Sequence, residues 1–249
     1  MVEVRDDLRL ALDRVGFSRK LSVEPDAWQE DLLRSSSDRV LLNCARQSGK
    51  SLMAAVIALH RALYHPGSLI LVLAPSERQA KETFDKVAKF YRHLGNDIPP
   101  DSFRKMGLEL TNGSRIEALP GTEKTIRGFS GVDLLIVDEA ARVSDELYFS
   151  IRPMLAVSAG QLLALSTPFG TRGWWYEAWR GPEAWERYEV TAEECPRISE
   201  AFLEEERRTL GPWWFEQEYE CKFLDAETQV FSRTDVDAMF AEEVEAWQL

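Results

Sequence analysis

The sequence predicts an α/β fold with a central, mostly parallel sheet flanked by helices and a small helical lid at the C-terminal end. Three observations carry this expectation. Apolar runs of strand length recur between longer amphipathic segments, at 39–44, 68–74, 132–137 and 161–166, and such continuous runs suit strands buried on both faces of a parallel sheet. The first run stops at a polar turn, Ala45-Arg46-Gln47-Ser48-Gly49-Lys50-Ser51, and a helical run follows over 52–59. The third run, Leu134-Leu135-Ile136-Val137, ends in two acids, Asp138 and Glu139. Strands separated by helices imply right-handed crossovers and a ligand site at the carboxyl edge of the sheet.

The elements follow in order. Residues 4–14 read as an amphipathic helix (Val4, Leu8, Leu10, Leu12), and 25–35 as a second with Trp28, Leu32 and Leu33 on one face. After the 39–59 unit comes the strand 68–74, closed by Pro75-Ser76, with Ser76 placed to cap a helix over 77–94. Residues 107–119 carry the Asn112-Gly113 hairpin signal. A polar loop over 120–130 precedes the acidic strand, and the strand 161–166 ends in Thr167-Pro168. From about Tyr188 the chain reads as helical and acidic, with segments near 198–210, 212–220 and 234–246. The expected division is a core over 1–195 and a helical lid or linker over 196–249, where Trp213, Trp214, Phe215 and Phe223 pack back on the core.

Composition bounds the function classes. The 249 residues, 45% of them apolar, suffice for one large domain. No apolar run reaches the roughly 18 residues of a membrane span, and the charged start Met-Val-Glu-Val-Arg-Asp-Asp lacks the apolar core of a signal peptide. Three cysteines without a CxxC pair (Cys44, Cys195, Cys221) point to a reducing compartment, with no disulfide framework and no zinc site. The net charge is -12, but residues 1–130 hold 20 Lys and Arg against 17 Asp and Glu, whereas residues 131–249 hold 10 against 25. A surface facing a polyanion therefore belongs to the first part.

The turn after the first strand has the chemistry of a phosphate loop. Its backbone N–H groups and the following helix N-terminus suit a polyphosphate, Lys50 reaches β- and γ-phosphates, and the Ser51 hydroxyl holds Mg²⁺. Cys44 stands where the first glycine of the usual pattern falls. Asp138, at the end of a core strand, orients Mg²⁺, and Glu139 accepts a proton from the water attacking the γ-phosphate. The strand 69–74 lies between these two motifs. With a glutamate after the metal aspartate, this resembles the additional-strand, catalytic-glutamate class of P-loop NTPases.

Further local residues narrow the resemblance. Trp28-Gln29 precedes the loop, Arg46 sits inside it, Ala140-Ala141 follows the acids, and Ser166-Thr167-Pro168 is followed by Gly170 and Gly173-Trp174-Trp175-Tyr176. Together these resemble the ATPase domain of the large terminase subunit of tailed double-stranded DNA bacteriophages, over about residues 28 to 231. The resemblance implies an ATP-hydrolysing motor with ATP and Mg²⁺, and phosphate loops of this family are often irregular where Cys44 stands. It implies that Gln29 contacts adenine, that Arg46 senses the γ-phosphate, and that Ser166 and Thr167 couple hydrolysis to motion. It gives Arg127 the position of an arginine finger offered to a neighbouring subunit, with Arg142 a second candidate.

Implied partners are double-stranded DNA, a homo-oligomeric ring (a pentamer) on the capsid portal, and the small terminase subunit, in the host cytoplasm at the procapsid and away from any membrane. Arg104, Lys105 and Arg115 are the candidate DNA-phosphate contacts. Residues 218–225 resemble the segment before the family's nuclease domain, and no nuclease carboxylates follow, so no cleavage is expected from this chain. The alternatives are a helicase-like DNA translocase and a non-hydrolysing ATP-binding scaffold. Glu139 argues against the second, since a pure binder needs no catalytic acid.

Overall fold

The computed structural model of the chain describes residues 2–95, 98–121, 126, 128–225 and 239. Eight strands form one sheet: β1 (Arg39–Cys44), β2 (Leu69–Ala74), β3 (Pro100–Arg104), β4 (Gly107–Leu110), β5 (Arg115–Pro120), β6 (Leu134–Asp138), β7 (Gln161–Ser166) and β8 (Glu186–Val190). Their order is β3-β4-β5-β2-β6-β7-β1-β8. From β5 to β8 every neighbouring pair is parallel, while β3 and β4 add an antiparallel edge.

The unbroken apolar runs exist because both faces of the inner strands are covered. Along β1, Val40, Leu42 and Cys44 point into one core and Leu41 into the other. Along β2, Ile70, Val72 and Ala74 face the first core, and Leu69, Leu71 and Leu73 face the second. The first core is closed by α2 (Arg14–Lys20), α3 (Ala27–Arg34), α4 (Lys50–Tyr64) and α5 (Glu77–His93), which supply Phe17, Leu32, Met53 and Phe84. The second is closed by α6 (Asp145–Ile151) and α7 (Trp174–Arg180) through Leu147, Tyr148, Trp174 and Trp175. A one-residue slip of any inner strand would exchange these two sets of side chains.

Most predicted elements stand where their sequence signals put them. Ser76 caps α5 by accepting from the Gln79 N–H at 3.3 Å. Gly113 turns the β4–β5 hairpin at φ 85°, and the Asn112 side chain pins that turn to the Ala62 carbonyl at 2.9 Å. The helix α8 (Glu200–Glu218) is capped by Ser199 and broken at Gly211, φ 76°, ahead of Pro212. That break divides it as the Gly-Pro pair predicts. Phe215 is buried against Ala45, Leu203 and Cys221, and Phe223 meets the Tyr176 ring, whereas Trp214 is exposed.

Three expectations need correction, and one strand had no sequence signal. The first helix is two: α1 (Val2–Leu12) ends where Asp13 accepts from the Gly16 N–H at 2.9 Å and starts α2. The chain around Tyr188 is the edge strand β8, paired with β1, because alternation with charged residues still satisfies a strand with one open edge. The edge strand β3 carried no apolar signal and was not foreseen. The strand interposed in space between β1 and β6 is β7, while β2 flanks β6 on its far side. The expected helix over 234–246 lies outside the described residues apart from Met239. Among the described residues no helix is long and apolar enough to cross a membrane.

His60 on α4 is buried in the first core, with its Nε2 donating to the Leu10 carbonyl at 3.1 Å and its ring 5.2 Å from that of Phe17. Burial pushes its pKa from 6.5 down to about 4. The unfolded chain therefore takes up this proton first, so the stabilisation is complete above about pH 6.5 and is lost as pH falls towards 4, by roughly 3 kcal/mol at most. Chemical denaturation between pH 7 and 4.5 should show this slope in the wild type and a flatter one in His60→Phe. Equal slopes would remove His60 from the acid response.

Candidate active site

β1 leaves the sheet at Cys44, and the loop that follows is forced by backbone geometry. Gln47 has φ 61° and Gly49 φ 94°, both left-handed. A Cβ at 49 would also meet the Gln29 Nε2 at 2.7 Å, so that side chain would have to shift. α4 then starts at Lys50 with no side-chain cap, so its first N–H groups remain suited to an anion. Lys50 is 7% exposed, and its Nζ donates to the Ala45 and Cys44 carbonyls at 3.3 and 3.4 Å. The Cys44 thiol is buried beneath the loop and its pKa is raised by that burial, which removes it as a nucleophile.

Asp138 emerges from β6, one strand away from β1 across β7. Both of its carboxylate oxygens accept: Oδ2 from the Thr83 hydroxyl at 2.6 Å and Oδ1 from the Glu139 N–H at 3.0 Å. Thr83, reaching across from α5, was invisible in sequence, since a lone buried threonine on a helix has no signature. Glu139 is itself left-handed, φ 52°, and its carboxylate lies 3.6 Å from Arg142. Left-handed non-glycine residues are strained and concentrate where function requires them; two of the five among the described residues, Gln47 and Glu139, face one cavity.

That cavity has a volume of about 840 Å³ and is lined by Arg46, Gln47, Lys50, Ser51, Glu139 and Arg142. α5 contributes Arg78 and Lys86. An 840 Å³ cleft is the size of a nucleotide-class ligand site. Its cations outnumber its carboxylates although the whole chain is acidic.

Other expected residues are placed differently from their simplest reading. Gln29 is buried: its Oε1 accepts from the Asp26 N–H at 3.0 Å and its Nε2 donates to the Ser48 carbonyl at 3.1 Å. It therefore braces the phosphate loop. Arg197 braces the same carbonyl at 3.0 Å while pairing with Asp26 at 2.7 Å; no sequence pattern linked it to a loop 149 residues away. Arg46 pairs with Glu218 at 2.5 Å, a bond that raises the pKa of the guanidinium. Ser166 and Thr167 are buried at the end of β7. Ser166 lies in register with Asn43, whose side chain donates to the Cys221 carbonyl at 3.0 Å. The Ser166 hydroxyl has no hydrogen-bond partner among the described residues.

The candidate DNA contacts lie at the β3–β5 edge. Arg104 is committed to Glu109 and Glu117 at 2.7 and 2.6 Å and Lys105 to Glu77 at 3.1 Å, while Arg115 is exposed on β5. Arg127 lies outside the described residues.

Thr83→Val keeps the shape of the side chain and removes one donor to the buried Asp138 carboxylate. The expected loss of unfolding free energy is about 1–3 kcal/mol, read as a lower urea midpoint. An unchanged midpoint would show that the bond contributes nothing to stability.

Residues 41–237 match the family described as terminase large subunit, T4likevirus-type, N-terminal. The terminase large subunit of Thermus phage G20c is 28% identical over 258 residues, covering 88% of this chain and 53% of that protein. The terminase large subunit of Escherichia phage T5 is 26% identical over 230 residues, covering 87% and 52%. The chain thus spans about half the length of the curated relatives it matches. Among solved structures, the large terminase ATPase domain of Thermus phage P74-26 superposes with a TM-score of 0.74 at 25% identity, covering 84% of this chain and 98% of that one. The large terminase of bacteriophage HK97 shares the fold, with a TM-score of 0.66 at 19% identity over 80% of this chain and 50% of that one.

Proposed function

From a chain that belongs to the T4likevirus-type terminase large-subunit N-terminal family, we propose an ATP-hydrolysing motor domain that drives double-stranded DNA into a procapsid. The observation that carries this reading is the convergence of Lys50, Ser51 and Glu139 on one cationic cavity, with Asp138 held by two hydrogen bonds at the end of β6.

The donor set fits Mg²⁺ accompanied by phosphates. A hydroxyl at the first turn of α4 and a single oriented carboxylate are what such an ion takes from protein when phosphates supply the rest. Ser51 and Asp138 would hold it, and when bound it supplies charge neutralisation at the phosphate oxygens. Lys50 and the loop N–H groups bind the β- and γ-phosphates. A water oxygen attacks the γ-phosphorus, the bond to the bridging oxygen breaks, and the Glu139 carboxylate takes the proton from that water. Arg46 and Arg142 stabilise charge on the terminal phosphate. Gln29 and Arg197 hold the loop at the Ser48 carbonyl, and Gln29 is the proposed adenine contact.

Arg127 acts as a finger in trans, which makes hydrolysis depend on a homo-oligomeric ring, a pentamer on the portal. Ser166 and Thr167 transmit the change at β7 to a lid formed from residue 196 onward. The small terminase subunit and DNA complete the assembly at the procapsid in the host cytoplasm. Arg115 is the favoured DNA contact of the three candidates, because Arg104 and Lys105 already hold carboxylates.

Purified protein should turn over Mg-ATP at a rate per chain that rises with protein concentration. Glu139→Gln should lower turnover by at least about 100-fold while retaining nucleotide binding, and Lys50→Ala should weaken binding itself. Turnover unchanged in Glu139→Gln would deprive that residue of its role. Arg127→Ala should lose the concentration-dependent part and recover activity when mixed with Glu139→Gln, since each then supplies what the other lacks. Mixed samples no more active than either variant would exclude a finger in trans.

A further inference from the structure

A second cationic recess lies at the far end of α4, between α2, α3 and the turn after α4. It has a volume of about 330 Å³, and its lining includes Asp13, Arg14, Arg34, Ser35, His60 and His65. His60 is only 2% exposed. Its Nε2 is taken by the Leu10 carbonyl, and its buried Nδ1 meets no hydrogen-bond partner among the described residues. Arg61, beside it on α4, reaches the Gln161 Oε1 through Nη2 at 3.3 Å, while its buried Nε is likewise without a partner among the described residues. Arg14 uses one donor on the Ser35 carbonyl at 3.2 Å. The nearby carboxylates are engaged elsewhere. Asp13 caps α2, Glu30 holds Arg34 at 2.6 Å, and Glu186 accepts from the Ser35 and Tyr188 hydroxyls.

Cations gathered in this way repel one another. Burial lowers the pKa of Arg14, and Arg61 lowers it further. Burial also lowers that of His65, with Arg61 and Arg14 adding to the effect and Asp133 opposing it. Arg14, His65 and Arg61 act on His60 in the same sense as its burial. An anion relieves this repulsion and satisfies the donors at once. We infer that the recess is a second anion site, which takes a phosphate group through Arg14, Arg61 and His65, with His60 as the buried partner. A phosphate offers more acceptor oxygens than a carboxylate to donors converging from α2 and α4, and a recess at the small end of ligand-pocket sizes suits so compact a group. His60 lies ten residues along α4 from Lys50, about 15 Å at the helical rise. The site is therefore separate from the cavity around Lys50 and independent of what that cavity binds. Inorganic phosphate and the backbone phosphate of a DNA duplex present the same chemistry to it.

The chain has three histidines, His60, His65 and His93. His93 sits on α5 with its Nε2 3.4 Å from the Ser22 hydroxyl, which makes it an internal control. Ring NMR signals of the 249-residue chain are followed at fixed pH while phosphate replaces chloride at constant ionic strength. The His60 and His65 signals should shift saturably, and those of His93 should not. Arg14→Gln and Arg61→Gln should each weaken half-saturation about tenfold, while Lys50→Ala should leave the shifts in place. Shifts that are absent, that grow without saturating or that are equal in all three histidines would overturn the site. So would wild-type affinity in both arginine variants, or loss of the shifts in Lys50→Ala. Short duplex DNA provides the second arm. Duplex that shifts His60 and His65 and competes with phosphate identifies the DNA backbone as the source. Duplex that leaves both unmoved, where phosphate still shifts them, identifies free phosphate.

Discussion

A strand covered on both faces has no water to satisfy its backbone, so each of its N–H and C=O groups must pair with a neighbouring strand. β6, β7 and β1 meet that condition side by side and in parallel, with Asn43 opposite Ser166 and Asp138 opposite Leu165. Their carboxyl ends are thereby level, and nothing in the site is free to slide. Two inter-strand spacings of about 4.8 Å put the roots of the phosphate loop and of Asp138 about 10 Å apart. That gap is wide enough for a phosphate chain and a cation between them, and narrow enough for Lys50 and Glu139 to face one cavity.

The rigid sheet supports strain and charge at its edge. Gln47, Glu139 and Cys221 all take left-handed backbone conformations, each at or just behind the point where chain leaves the packed layer. A loose framework would let such residues relax, whereas a close-packed one holds them. The charge pattern follows the same division. A chain of net charge -12 still builds a cationic cleft because the phosphate loop, α4 and α5 all come from its first 130 residues, where bases exceed acids. The acidic later part reaches into that cleft at Glu139 and touches its outer wall at Glu218. Both carboxylates are held by Arg142.

Much of the fold was legible because its signals are local. Buried inner strands read as apolar runs, Ser76 and Asn112-Gly113 have stereochemical roles that depend on a few neighbouring residues, and Gly211-Pro212 breaks a helix wherever it stands. Edge strands escaped for the complementary reason: β3 and β8 are half solvated, so their Pro, Glu and Arg residues look like loop. The site divided in the same way. Lys50, Ser51, Asp138 and Glu139 follow strand ends and could be found by position. Thr83, Arg197 and Glu218 follow nothing and were missed, and Gln29 was identified without its actual partner, the Ser48 carbonyl.

The sequence by itself therefore determined the class of fold, the strands that lie inside it, and the residues that occupy the mouth of the phosphate loop. Each depends on the chemistry of a short window. Tertiary structure alone decided that β7, and not β2, separates β1 from β6, since strand order is set by which pairing buries both faces at once. It also decided the partners of Arg46. Glu218 is 172 residues away in the chain and 2.5 Å away in space, and no periodicity or composition records a contact that exists only after the whole sheet has closed.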